Sequence, residues 1–462
     1  MMTCSIRRVF AITAISLGAA GVVHAQTVAG PATTPAGAPQ EVAPGTPTEV
    51  EWYSVHAQGT VISQKHDVFP ANFTGPFDVP PDEPWKTSVT GTLFLGLRLP
   101  WQGGEIYCDP EISGGEGFGG VTGIAGFPNG EIPRVGSPEP QPYIARGFIR
   151  QTFNLGGERE HVEADQNQLA GYRDTRRFVL TFGKFAATDF FDNNAYAHDA
   201  RTQFQNWSLM ANGAWDYPAD TRGYTYGIVG ELYADNWTVR YGAFTMPKEA
   251  NGSTIDWNIP KALGQIIEFE QRWTIPKLGG GAARPMAYLN LAHMGNYREA
   301  ILFPGPNGPD VTLTRTYTYK YGFGVSAEQA ITADLGLFAR LGWNDGHTET
   351  FCFTEIDRTA TLGASLKGTR WRRPDDVVGF AGAINALAKN HRDYIGAGGH
   401  GFIIGDGQLR NYAPEQILEA YYLAKVVDHV FVTADVQYIK HPAYNADRGP
   451  IFVGGLRVHV EL

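Results

Sequence analysis

The sequence predicts an all-β fold, a transmembrane antiparallel β-barrel of about sixteen strands with long external loops, one of them folded into the pore. Three observations lead there: apolar and polar side chains alternate with period two along the whole chain, short and long connections alternate between the segments, and the chain opens like an exported protein. Hydropathy averages miss such a protein, because only alternate residues of each strand face lipid. The mean hydropathy of -0.23 is that of an ordinary soluble chain. Past residue 51 no stretch approaches the ~20 apolar residues of a spanning helix. Glycine, at 56 of 462 residues, exceeds the usual ~7% and favours strands and turns over helices.

At the start of the chain Arg7 and Arg8 precede an apolar run, 9 to 23, that closes on the small-residue pair Val23 and Ala25. This pattern predicts a signal peptide over 1–25, too short in its apolar part to span a membrane. Residues 26–50 are mainly Ala, Pro, Thr and Gly and bury too little to offset the entropy of ordering, so they read as a flexible lead-in. The barrel domain is then 51–462.

The alternation states which face meets which solvent. In 89 to 99 the residues Val89, Leu93, Leu95, Leu97 and Leu99 share one face, and Thr90, Thr92 and Arg98 the other. In 316 to 328 Tyr317, Tyr319, Tyr321, Phe323 and Val325 oppose Thr316, Thr318, Lys320, Ser326 and Glu328. In 430 to 438 Val430, Val432, Val436 and Tyr438 oppose Thr433, Asp435 and Gln437, with Phe431 an exception on the polar side. Segments of this kind, near the ten residues a tilted strand needs, are expected at 52–63, 88–99, 104–111, 143–153, 177–185, 224–234, 236–246, 264–274, 285–295, 316–328, 333–343, 358–368, 376–387, 416–425, 429–439 and 451–462. Between them lie long connections (64–87, 112–142, 186–223, 247–263, 296–315, 344–357, 388–415, 440–450) and short ones, the parity of external loops and periplasmic turns. A soluble β-sandwich has no reason to sort loop length this way. Two connections expected to be short, 154–176 and 369–375, are longer than the rule prefers. The final LRVHVEL puts Leu456, Val458, Val460 and Leu462 on one face.

The formal charge of -10 grows more negative once Arg7 and Arg8 leave with the leader, and an acidic chain without a basic block argues against nucleic-acid partners. Cys108 and Cys352 lack metal-type spacing, and a bridge between them is left open. No nucleophile elbow, phosphate loop, HExxH or CxxC is present, so neither catalytic residues, a metal nor a cofactor is expected. A scattered triad on a barrel enzyme is the alternative from another class.

Charged residues in phase with the polar faces, among them Arg98, Glu231, Arg240, Glu268, Glu270, Arg272, Arg340 and Asp435, imply a wet lumen of both signs. They can bind neutral polyhydroxylated solutes, or pair with one another and brace the wall. The longest loop, 186–223, sets Asp189, Asp192, Asp199, Asp216 and Asp220 among Phe190, Phe191, Tyr196, Phe204, Trp207, Trp215 and Tyr217, with Arg201 and Arg222 as cations. So many aromatics suit a loop folded inward, where ring faces stack on a sugar and charged groups bond its hydroxyls. A self-packed lid is the other reading; a calcium site lacks EF-hand spacing.

At this loop the chain resembles the carbohydrate-selective porins of the outer membrane, the OprB type. The likeness runs from residue 51 to the end and is carried by FGKFAATDFFDNNAYAHDARTQFQNW, GAWDYPADTRGYTYG, YCDPEISGGEGFGGVTGIAGFPNGE, GDGQ with YAPEQILEAYY, and HPAYNADRGP. The resemblance implies a sixteen-stranded barrel in a Gram-negative type outer membrane, and passive diffusion of small carbohydrates through a pore narrowed by an inward loop. It marks Asp192, Asp199, Arg201, Trp207, Trp215, Asp216 and Arg222 as constriction or loop-anchoring residues. The Pro-rich lead-in and the terminal Leu462, where an aromatic is usual, depart from the pattern. A general porin for small ions stays open, to be separated by net lumen charge. Pattern leaves monomer and homo-oligomer open; the resemblance favours a monomer.

Overall fold

A computed structural model describes residues 50–134 and 137–462. The leader and nearly all of the lead-in, 1–49, lie outside the described residues. Sixteen barrel strands follow in chain order: β1 (Tyr53–His66), β2 (Lys86–Arg98), β3 (Gly104–Gly115), β4 (Gln141–Asn154), β5 (Arg177–Phe185), β6 (Thr225–Tyr233), β7 (Trp237–Pro247), β8 (Leu263–Ile275), β9 (Gly279–Met294), β10 (Thr316–Ala330), β11 (Leu335–Asn344), β12 (Arg358–Gly368), β13 (Arg373–Ala386), β14 (Glu415–Val427), β15 (Val430–Lys440) and β16 (Ile451–Glu461). Each pairs antiparallel with its sequence neighbours. The ring closes where β1 meets β16, from Gln58 opposite Glu461 to His66 opposite Val453. No described helix is long and apolar enough to cross a membrane.

Every expected segment is a strand, and the departures have local causes. β9 starts at Gly279 rather than 285, since the run Gly279, Gly280, Gly281 imitates a turn. Its ladder to β8 keeps one register but is interrupted between Met286 opposite Glu268 and Ala283 opposite Gln271, at Pro285, which has no N–H to give. The connection expected over 369–375 shortens to 369–372 because β13 begins at Arg373. The connection 155–176 is long because it carries its own hairpin, Arg159–Val162 paired with Gly171–Asp174. In β4 the register shifts opposite Asp109 and Pro110, so that β4 holds one residue more than its partner. This bulge turns both Tyr143 and Arg146 toward the lumen although they stand three residues apart.

The barrel is polar inside and apolar outside. Tyr317, Tyr319, Phe323, Leu341, Leu362, Val436 and Leu456 are exposed on the outer wall, whereas Lys320, Arg340, Asp435 and Arg457 are buried within. Long loops leave one rim, the external one by the rule for such barrels, and six of the seven turns at the other rim are short. The external loops fold into the lumen and pack Phe127, Phe191, Phe204, Trp207, Trp215 and Phe353 into a continuous aromatic core. Cys108 and Cys352 are both free thiols.

Candidate functional site

The loop 186–224 enters the barrel and is held by lumen-facing wall residues. Asp192 takes Arg340 Nε at 2.9 Å and the Asn212 N–H at 2.7 Å, and its own N–H donates to Glu268 at 2.8 Å. Arg340 also donates to the carbonyls of Leu209 and Ala197. Asp216 accepts from the N–H groups of Phe351 and Cys352 at 2.8 and 2.7 Å, with Lys320 at 3.4 Å. Glu419 accepts the Gln205 and Asn206 N–H groups, and Arg457 donates to the carbonyls of Ala200 and Gln203. Trp215 is fully buried. Buried loop backbone needs such partners, so the charges of the wall stand in for water.

One side of the lumen, against β2, β3, β4 and the start of β6, stays open around a cavity of about 140 Å³. Its lining holds Glu111, Glu131 and Asp220 against Arg134, Arg201 and Arg222, with Tyr143, Trp207, Tyr217, Tyr224 and Phe353 as aromatics. Arg201 joins the connection between β3 and β4 to the barrel wall, donating to Glu131 at 3.0 Å and to Glu111 of β3 at 3.3 Å. Glu111 further accepts from Thr92 at 2.6 Å, Tyr224 at 3.2 Å and Tyr143. Arg222 stacks over the Tyr143 ring at 4.0 Å and reaches Ser113. Burial works against the Arg201 charge, yet Glu131 and Glu111 hold the guanidinium above its ordinary value. Asp199 would be raised by burial, but Arg201 and its N–H bring it below the usual carboxylate range. Burial, then Glu111, pushes the Tyr224 hydroxyl up, so it stays a donor.

Of the residues marked from the sequence, Arg201, Trp207 and Arg222 line the cavity. Asp192, Asp216 and Trp215 lie in the anchored core of the loop, and Asp199 braces Arg201 through its N–H at 2.9 Å. Glu231 and Arg240 sit deeper, in a wall ladder in which Arg240 bonds Glu231, Glu268 and Glu270 at 2.9–3.0 Å, and Arg284 joins Glu270 to Glu328. Arg98 stands at the short-turn rim beside Glu105. Sequence reasoning left out Glu111, Glu131, Arg134, Tyr143 and Tyr224. Glu111 was on the polar phase of an expected strand, and Glu131 stands in the string FPNGE that carries the resemblance.

A family model described as carbohydrate-selective porin, OprB family, matches residues 95–462. The chain belongs to that family. As an OprB-family porin it has the fold of an outer-membrane channel. Two solved structures show the same barrel. The high-pH structure of Pseudomonas putida OprB matches with a TM-score of 0.65 at 17% identity, covering 89% of this chain and 94% of that one. The outer membrane channel DcaP of Acinetobacter baumannii matches with a TM-score of 0.50 at 9% identity, covering 89% and 97%. No curated protein matches this OprB-family chain by sequence.

Proposed function

We propose that the protein passes small neutral carbohydrates, monosaccharides such as glucose, by passive diffusion into the periplasm, and that Arg201, Glu111, Tyr143, Trp207 and Arg222 form the selecting eyelet. The observation that carries this reading is the balance of the lining: three carboxylates face three guanidinium groups among five aromatic rings. A field of one sign would favour ions, whereas paired charges give no net attraction to either sign and supply donors and acceptors for hydroxyl groups. The aromatic faces offer an apolar platform for a sugar ring. Liposome swelling tests it, with glucose set against neutral and charged solutes of equal size. Faster entry of glucose is expected; equal entry at equal size reduces the eyelet to a sieve and contradicts the proposal.

A further inference from the structure

The connection 155–176 belongs to the rim of short turns, yet it does not stay there. Beyond the hairpin strand Arg159–Val162 the chain makes a tight turn in which Asp165 and Gln168 exchange two backbone hydrogen bonds of 3.0 Å, with Asn167 at φ +56. Asn tolerates that left-handed conformation better than most residues. The turn points up the lumen. Asn167 Nδ2 donates to Asp109 Oδ2 at 2.8 Å, and Arg150 holds the Asn167 carbonyl at 2.9 Å. Asp109 lies five residues along β3 from the rim residue Gly104, about 16 Å of strand at the usual rise. The base of the turn is fixed as well: Arg98 donates to the Ala170 carbonyl at 3.0 Å, and the Ala170 N–H donates to Glu51 at 2.8 Å.

Where the tip meets the wall, three buried polar atoms find no hydrogen-bond partner among the described residues: Asp109 Oδ1, Asn167 Oδ1 and Arg146 Nη1. They belong to one cluster, since Asn167 bonds the other oxygen of Asp109, Oδ2, and Arg146 Nη1 stands 3.6 Å from that same oxygen. Asp109 is fully buried. Two acceptors and one guanidinium donor, all unsatisfied, complement hydroxyl groups, which donate and accept at one atom. Asp109 is also two residues from Glu111 on the same strand face, about 7 Å from the eyelet. Along β3 the cluster lies on the short-turn side of the eyelet, the direction an incoming solute takes.

We propose that the inward tip Asp165–Gln168 forms an inner constriction of the pore and, through Asn167 with Asp109 and Arg146, completes a second subsite for hydroxylated solutes. This deepens the sugar-channel reading and rests on it. The test uses the full-length protein in planar bilayers, with two substitutions that the φ +56 turn accepts. Asn167→Gly removes the amide; Asn167→Asp sets a carboxylate against Asp109 and repels the tip. In potassium chloride alone, Asn167→Asp is expected to raise single-channel conductance by about two-fold, and with glucose present Asn167→Gly is expected to weaken the current block by about five-fold. Conductance unchanged in Asn167→Asp, or a block that Asn167→Gly leaves at full strength, overturns this proposal alone. A wild-type channel that glucose does not block at all overturns the sugar reading beneath it, and the subsite with it.

Discussion

Two sets of residues, interleaved along the loop 186–224, are held by different kinds of contact. The anchored set, around Asp192 and Asp216, spends both carboxylates on backbone N–H groups and on fully buried cations, Arg340 and Lys320. The eyelet side chains of Arg201 and Arg222 instead reach Glu131, Glu111 and Ser113 by side chain to side chain contacts at 3.0–3.4 Å and stack on Tyr143, while Arg457 fixes the backbone beside Arg201. Backbone bonds fix where the chain runs, and removing one partner leaves a buried group bare. Side-chain pairs along an open cavity can exchange one partner for a solute hydroxyl at small cost. The first arrangement gives rigidity, and that rigidity lets the second remain adaptable without collapse.

Breaking the anchored set carries the largest expected effect. Arg340→Met leaves the Asp192 carboxylate buried without its cation, a change worth about 3–5 kcal/mol to the docked loop. The barrel still forms, while conductance rises, solute discrimination falls and the loop becomes open to protease; unchanged single-channel conductance speaks against the anchoring role.

At the eyelet the effect is smaller and of another kind. Arg201→Ala leaves Glu111 and Glu131 without their shared cation, so the reversal potential in a salt gradient shifts toward cation selectivity and glucose binding weakens about ten-fold, the size of one charge-assisted hydrogen bond. Because Glu111 is buried, thermal stability falls in this variant as well, and the shift in reversal potential is what separates it from Arg340→Met. Tyr143→Phe removes one hydroxyl from Glu111 and weakens glucose binding about two-fold with no change in ion selectivity.

A third test compares loop packing across pH. In the external loops His391 stacks on Tyr297 at 4.3 Å and bonds Asp357 at 2.9 Å, with Glu355 at 3.6 Å. Burial alone pushes the imidazole down, but Asp357 and Glu355 outweigh it and raise His391 to about 9. Since the folded value lies above the ordinary 6.5 or so, the stabilisation is complete below about pH 6.5 and is lost as pH climbs through about 9. Burial likewise opposes the Asp357 charge, yet His391 brings it down to about 2, so acid reaches this pair only near that pH. Limited proteolysis of the external loops is expected to accelerate between pH 7 and 10 in the wild type and to lose that dependence in His391→Gln.

The same division explains what could be read from the sequence. The wall was legible strand by strand, because a one-residue phase error would put Lys320 or Arg457 into lipid, and the alternation records that constraint. The inward loop was legible from its aromatics. The eyelet partners were not: Arg201 meets Glu111 across 90 positions, and no spacing rule connects a loop to a wall it reaches only after the barrel closes. The bulge in β4 breaks the phase between Tyr143 and Arg146, so the strand pattern alone assigns them opposite faces. The inward turn of 155–176 was hidden because its short strands pair with each other and leave no mark on the barrel's period.

The most direct test of a rigidly held sugar eyelet is the ion current through single wild-type channels as glucose is titrated on the external side. A rigidly held, sugar-binding eyelet gives a block that saturates and that weakens in Arg201→Ala. A current that falls in simple proportion to solution viscosity, equally for glucose and for a neutral solute of the same size, would contradict it.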